Sequence, residues 1–253
     1  MEPQLLHIEA GAERRRIAVL RREGSGPTIV WLGGFKSDMR ATKANALDSW
    51  AERSGRAFLR FDYSGHGESS GDFADGTIGA WREDALAAID AFAGERPVLV
   101  GSSMGGWIAL LIALDMKRRE APASGMVLIA PAADFTEALM WPQLPPEAKR
   151  DIEEKGVWMR PSQYSPEPYP ITRRLFEEGR SHLLLDKPIE PGCPVHILQG
   201  MQDPDVPWSH AMTLMEHLPA DAATLTLIKD GDHRLSREQD LAMLVRAVEG
   251  IAG

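Results

Sequence analysis

Short apolar runs and longer amphipathic stretches alternate along this chain. Two short strand candidates come first, at residues 5–10 and 16–20, and their closeness around Gly11 predicts an antiparallel hairpin. Beyond them, continuous apolar runs typical of strands buried on both faces of a sheet recur at residues 28–32, 57–62, 97–100, 125–130, 195–200 and 224–228. Such runs predict a sheet at the centre of the molecule.

Helical periodicity fills the gaps between these runs. Apolar residues three and four positions apart predict amphipathic helices at 42–54, 77–93 and 208–218, and a last helix around 241–248. Residues 107–116 are apolar on all sides, which predicts a helix buried against the sheet. Alternating strands and helices favour a single α/β domain over residues 1–253, with a mostly parallel sheet and helices on both faces.

One long stretch breaks this alternation. Prolines and large apolar side chains crowd residues 135–170, and this composition predicts a helical cap inserted after a strand, followed by a returning helix over 171–184. Its large side chains are Met140, Trp141, Trp158, Met159, Tyr164 and Tyr169. They form either a small local core or the lining of an acyl pocket; for the pocket, the candidates are Trp107, Trp141, Trp158 and Met159.

Candidate chemistry begins where the run at 97–100 ends. Gly101 and Gly105 flank Ser103 in the G-x-S-x-G spacing of a nucleophile elbow, a tight strand-to-helix turn that exposes a serine. Ser102 is off this spacing and is interpreted as a turn residue. An ordinary glycine-serine turn is the alternative, because short motifs also occur by chance.

A serine nucleophile needs a base, and the base needs a group that holds its tautomer. Asp203 and His233 follow Ser103 in the order Ser, Asp, His, and each comes directly after a predicted strand. Asp205 is the rival acid, whereas Asp232 is interpreted as a turn cap. The sequence therefore predicts a triad of Ser103, Asp203 and His233.

The glycine-rich loop at 33–38 also follows a buried strand. In α/β hydrolases this loop supplies one oxyanion-hole N–H, and the residue after the nucleophile supplies the other. The predicted donors are the main-chain N–H groups of Phe35 and Met104, unless the loop is only a strand-to-helix turn. His66, between two glycines, is expected to be a surface loop residue.

Composition limits the functions that the chain can have. A formal net charge of −9 over 253 residues argues against nucleic-acid binding. Cys193 is the single cysteine and leaves no intramolecular disulfide, and the longest apolar run, about 107–114, is too short to span a membrane. We expect a cytoplasmic protein, and the sequence suggests neither a metal site nor a cofactor.

Four stretches carry a resemblance to a known family: residues 61–65, 101–107, 155–158 and 206–208. They resemble the α/β-hydrolase-domain family typified by the mitochondrial palmitoyl-protein thioesterase and acyl-glucuronide esterase, over about residues 27–248. The resemblance implies an α/β-hydrolase fold, thioester or ester substrates, and Ser103, Asp203 and His233 as catalytic residues. It departs at the N-terminus, where we expect no Arg- and Ser-rich transit peptide, and a bacterial-type cytosolic relative is therefore expected.

These observations predict a serine hydrolase that cleaves acyl thioesters or carboxylic esters of small molecules or acylated proteins through an acyl-enzyme. Another α/β-hydrolase reaction, such as carbon–carbon bond or peptide hydrolysis, and a non-enzymatic binding module are the alternatives. Fold and triad do not fix the substrate.

Overall fold

A computed structural model describes residues 2–10, 13–161 and 167–253. The strands in these residues are β1 (Gln4–Ala10), β2 (Glu13–Arg22), β3 (Ser25–Leu32), β4 (Arg56–Phe61), β5 (Val98–Ser102), β6 (Gly125–Ile129), β7 (Val157–Arg160), β8 (Tyr169–Thr172), β9 (Val195–Gly200) and β10 (Ala223–Ile228). The α-helices are α1 (Thr42–Ser54), α2 (Ile78–Phe92), α3 (Met104–Arg118), α4 (Trp141–Gln143), α5 (Pro146–Lys155), α6 (Arg173–Gly179), α7 (Trp208–His217) and α8 (Glu238–Ala252). Short 3₁₀ turns cover Phe73–Asp75 and Arg180–His182, and a π-helical turn covers Thr136–Met140.

Eight strands form one sheet in the order β1-β2-β4-β3-β5-β6-β9-β10. The pairs from β4 through β10 are parallel, whereas β1 pairs with β2, and β2 with β4, in antiparallel fashion. The predicted hairpin and the mostly parallel sheet are thus confirmed, although Gly11, at the expected hairpin turn, lies outside the described residues.

Helices cover both faces of the sheet. Val30 and Leu32 of β3 belong to the core that α2, α3 and α7 cover, whereas Ile29 and Trp31 point to the core under α1 and α8. Every residue of α3 from Met104 to Ala113 is buried, as its uniformly apolar sequence predicted. Burial on both faces explains why these strands are continuous apolar runs.

The segment predicted as a helical cap also contains strands. β7 and β8 pair into a separate antiparallel sheet, with Trp158 opposite Ile171. The prediction of one returning helix over 171–184 was wrong, because Ile171 lies in β8 and the Thr172 side chain caps α6 by accepting from the Leu175 N–H at 3.2 Å. Tyr164, assigned to this segment from sequence, lies outside the described residues.

The parallel strands place several loops at one end of the sheet. The carboxyl ends of β3, β4, β5, β9 and β10 all lie along this edge, and the loops that follow them contain the candidate functional residues. Ligands of open α/β sheets bind at this edge.

Candidate active site

Ser103 lies between the last residue of β5 and the first residue of α3. Its backbone has φ 54° and ψ −119°, a combination that residues with a side chain rarely adopt. A Cβ at Gly105 would overlap the Leu32 carbonyl group, and a Cβ at Gly101 would overlap the Gly105 carbonyl group. The two glycines of the motif are therefore required by close backbone packing, as in a nucleophile elbow.

Backbone hydrogen bonds hold the elbow against the neighbouring strand. The Ser103 N–H donates to the Ile129 carbonyl at 2.9 Å. The Ser103 carbonyl accepts from the Gly106 N–H at 2.9 Å and from the Ala132 N–H at 3.1 Å. These bonds stabilise the strained conformation from both sides, and the side chain of Ser103 is half-buried rather than enclosed.

The loop after β3 lies beside the elbow. A Cβ built on Gly34 would be 3.4 Å from the Ser103 Cβ, so the two backbones are close neighbours. Within the described residues, the Phe35 N–H has no hydrogen-bond acceptor. Met104 is the first residue of α3, and the first N–H groups of a helix lack partners within the helix. Both predicted oxyanion donors thus belong to segments adjacent to Ser103.

The Phe35 ring packs into an aromatic cluster. Four rings lie edge-on to it at centroid distances between 4.8 and 6.2 Å: Phe73, Trp81, Phe135 and Tyr169. Tyr169 belongs to β8 and Phe135 begins the predicted cap segment, so Phe35 joins this segment to the loop beside Ser103.

Asp203 follows β9, and its side chain is inaccessible to solvent. Its Oδ1 accepts from the N–H groups of Asp205 and Val206, each at 2.8 Å. Its Oδ2 lies 2.8 Å from Nδ1 of His233. Asp205, the rival acid, is exposed. The buried carboxylate is thus oriented by its own turn to present one oxygen to a histidine.

His233 follows β10 in a tight turn. A Cβ at Gly200 would overlap the backbone of Gly231, so the loops after β9 and β10 touch without intervening side chains. Asp232 Oδ1 accepts from the Leu235 N–H at 3.0 Å and caps the turn, as predicted. Lys43, which lies on α1, donates to the Arg234 carbonyl, and burial lowers the pKa of the Lys43 ammonium group to about 8.

Asp203, Asp205 and His233 also form a group of possible metal ligands, with one ligand atom from each within 4.8 Å of the others. The sequence did not predict this group. Because His233 Nδ1 and Asp203 Oδ2 are hydrogen-bonded to each other, the geometry is that of an oriented imidazole.

The four residues predicted to line an acyl pocket lie in three different environments. Trp107 is fully buried in the main core, and its Nε1–H donates to the His182 carbonyl at 3.1 Å. Trp141 and Trp158 pack against a small core that the cap segment shares with α6, where the Trp141 ring lies 5.0 Å from that of Phe176. Met159 is 48% exposed. Their contribution to a pocket stays a prediction.

His66 is buried, and the prediction of a surface position was wrong. Only 4% of it is exposed, because the loop after β4 folds back over α2 and places the ring against Trp81 at 5.2 Å. Asp62 helps to hold this loop, since its carboxylate accepts from the N–H groups of Met39 and Glu68 at 2.6 and 2.8 Å. The flanking glycines are the misleading signal, because glycines on both sides are typical of an open surface loop.

The chain has three features that together define the α/β-hydrolase class: a strained serine after β5, a carboxylate–imidazole pair after β9 and β10, and a mostly parallel sheet covered on both faces. The chain belongs to the Alpha/beta hydrolase family, whose profile matches residues 29–247. Among its relatives is the Homo sapiens protein named "Palmitoyl-protein thioesterase ABHD10, mitochondrial", which is 37% identical over 236 residues, or 93% of this chain and 76% of that protein.

Solved structures agree with this family. A putative hydrolase from Agrobacterium vitis S4 superposes with a TM-score of 0.95 at 49% identity, over 100% of this chain and 99% of that one. Alpha/beta hydrolase domain-containing protein 10 from mouse superposes with a TM-score of 0.86 at 34% identity, over 98% of each chain. These similarities confirm the predicted fold and the resemblance found in the sequence. The chain is therefore a hydrolase.

Proposed function

We propose that the protein is a serine hydrolase that cleaves acyl thioesters or carboxylic esters through an acyl-enzyme intermediate. The observation that carries the proposal is the pairing of the buried Asp203 carboxylate with His233, at the same sheet edge as the strained Ser103 turn. In this arrangement a serine becomes a nucleophile because a neighbouring base accepts its proton.

The hydrogen bond between Asp203 and His233 supports the proposed mechanism. With Nδ1–H donating to Asp203 Oδ2, the neutral ring has its lone pair on Nε2, which can accept a proton. His233 takes the Ser103 hydroxyl proton as Oγ attacks the acyl carbonyl. The proton then passes to the departing thiol or alcohol, and water attacks the acyl-enzyme by the same route. Asp203 orients the ring and stabilises its charged form.

Two main-chain N–H groups, those of Phe35 and Met104, complete the proposed site. They would stabilise the negative charge that develops on the carbonyl oxygen during both attacks. Loss of one such donor typically raises the activation barrier by about 3 to 4 kcal/mol.

The names of the relatives support the proposed substrate class. ABHD10 relatives are named palmitoyl-protein thioesterases, so we propose acyl groups on thiols or alcohols, carried by small molecules or proteins. The predicted cap, residues 135–170, is the part of this single domain that we propose selects the acyl chain. Trp158 of β7 is half-buried against the small core that this segment forms with Ile171 and Phe176, and it is the most direct probe of the cap.

A matched series of acyl thioesters and oxoesters, from short to long chains, tests this proposal. Ser103→Ala is expected to abolish turnover of all of them, whereas the adjacent Ser102→Ala is expected to retain it. Trp158→Ala is expected to shift chain-length preference more than turnover of a short ester. Equal loss on all substrates would instead indicate damage to folding, and turnover only of peptide or carbon–carbon substrates would replace the proposed reaction.

The proposed compartment is the cytoplasm, whereas the mammalian relatives are named mitochondrial. In the described part of the chain, no helix has both the length and the apolar character needed to cross a membrane. Fractionation of the source cells, with detection of the protein in each fraction, tests the compartment.

A further inference from the structure

Lys36 adopts a backbone conformation that an L-residue disfavours. Its φ is +59°, and it is the third residue of a tight turn closed by the Ser37 N–H donating to the Gly34 carbonyl at 3.1 Å. Phe35 is the second residue of the same turn. The direction of the Phe35 N–H therefore depends on what holds Lys36 in this conformation.

His66 supplies a hydrogen bond at this position. The Lys36 N–H donates to His66 Nε2 at 3.2 Å, across to the loop after β4. Because Nε2 accepts, the ring proton lies on Nδ1, which is 3.2 Å from the Ser64 carbonyl and donates to it. Each ring nitrogen thus has one partner, and the imidazole links the two loops.

The surroundings fix the imidazole in place. Its ring lies edge-on to Tyr63, Phe73 and Trp81 at centroid distances of 5.7, 5.1 and 5.2 Å. Trp81 Nε1–H donates to the same Ser64 carbonyl at 3.1 Å. Burial lowers the pKa of His66 to about 4, so the acceptor on Nε2 persists at neutral pH.

We propose that His66 is a positioning residue for the oxyanion hole: by accepting from the Lys36 N–H, it holds the turn that directs the Phe35 N–H toward the acyl oxygen on Ser103. This inference rests on the proposed function. It differs from simple loop packing, because it requires the Nε2 acceptor and not only a ring of the right size.

Two substitutions separate the acceptor from the ring. His66→Gln can present its amide oxygen near the position of Nε2, whereas His66→Leu removes the acceptor and keeps an apolar side chain. His196→Leu is the matched control, since His196 is a partly buried histidine near the amino end of β9 and bonds Thr226 Oγ1 at 2.9 Å.

Steady-state hydrolysis of a short thioester gives the first readout. We expect kcat of His66→Leu to fall by roughly 10- to 100-fold, less than the full loss of an oxyanion donor, with KM changed less than about threefold. His66→Gln is expected to recover most of the loss, and His196→Leu to keep the kcat of the wild type. Affinity for an alkyl trifluoromethyl ketone, whose serine adduct carries an oxyanion, should fall in parallel with kcat.

Hydrogen exchange of the Lys36 amide gives a second readout that needs no turnover. Exchange should be faster in His66→Leu than in the wild type and in His66→Gln. Unchanged exchange in His66→Leu overturns the inference, and so does an unchanged kcat. Equal losses in His66→Leu and His66→Gln would assign His66 to packing alone. Absence of Ser103-dependent hydrolysis in the wild type would overturn the proposed function itself, and the exchange data would still decide whether His66 holds the turn.

Discussion

Asp203→Asn tests the role of the buried carboxylate, because the two side chains have nearly the same shape. Asp203 Oδ1 accepts from two backbone N–H groups at 2.8 Å, and only an oxygen can replace it there. The asparagine must therefore keep its oxygen on the turn and point its NH₂ group at His233. An NH₂ group cannot accept from Nδ1–H, so the imidazole is forced into the tautomer protonated on Nε2.

The wrong tautomer has no lone pair facing the serine. In an established serine-protease triad, the same aspartate-to-asparagine change lowers kcat by about 10⁴-fold, and we expect a loss of this order here. Folding should change little, since the bonds to Asp205 and Val206 remain. Gln199 Nε2, which also donates to Asp203 Oδ2 at 3.3 Å, keeps the Gly200 and Val206 carbonyls as acceptors. The assay is hydrolysis of a short thioester at neutral pH, with the thermal midpoint measured on the same samples.

Asp205→Asn is the matched control, because Asp205 is exposed and two residues away. We expect it to alter kcat by less than about threefold. The reasoning is refuted if the Asp203 variant folds normally and retains kcat within tenfold of the wild type. It is also refuted if Asp205→Asn carries the larger loss, which would make Asp205 the acid.

Close backbone packing and the burial of Cys193 and His66 can each be tested by a substitution or a reagent. Gly105→Ala should destabilise the fold by about 3 kcal/mol and abolish turnover, because the new Cβ overlaps the Leu32 carbonyl group. In the control Gly250→Ala, in α8, the new Cβ meets no atom within 4 Å, and stability and turnover should not fall; urea unfolding measures the stability of each variant and kcat its turnover. Burial raises the pKa of Cys193 to about 11, so its modification by a disulfide reagent at pH 8 should be at least about 100-fold slower than that of a free thiol until urea unfolds the chain. The pKa of His66, near 6.5 when exposed, falls to about 4 in the fold, so as the pH falls the unfolded chain binds a proton before the folded chain does. The stability of the wild type relative to His66→Gln should therefore drop by about 3 kcal/mol between pH 7 and pH 4 and should not change above pH 7. A stability difference between the wild type and His66→Gln that stays constant from pH 7 to pH 4 would contradict this last prediction.

The sequence predicted the parts of this molecule in which local pattern and tertiary environment agree. Helix α1 has the predicted bounds, Thr42–Ser54, because Gly55 ends it in a left-handed conformation with φ 67°. The glycine spacing around Ser103 predicted the tight turn, since only glycine tolerates the contacts found there. The order of strands predicted that Asp203 and His233 would meet, and their side chains are hydrogen-bonded. Their catalytic roles remain predictions.

The remainder depends on contacts between distant segments. His66 was predicted to be exposed because its neighbours are glycines, yet its burial arises from rings contributed by β4's loop, a 3₁₀ turn and α2. The β7–β8 sheet was missed because prolines and aromatic residues obscure the alternation of short strands. The short apolar stretch around Ile171 fits a helix and a strand equally well. Ile171 lies in a strand because it pairs opposite Trp158, a contact that the local sequence does not contain.

Covalent labelling with a fluorophosphonate, followed by peptide mapping, tests the central claim most directly. The reagent forms a stable bond with an activated serine and releases fluoride, so a labelled residue identifies the nucleophile. The account predicts one adduct, on Ser103, in the folded wild type, and none in Ser103→Ala or after urea unfolding. A folded wild type without an adduct on Ser103, or equal labelling of Ser103→Ala, would contradict it.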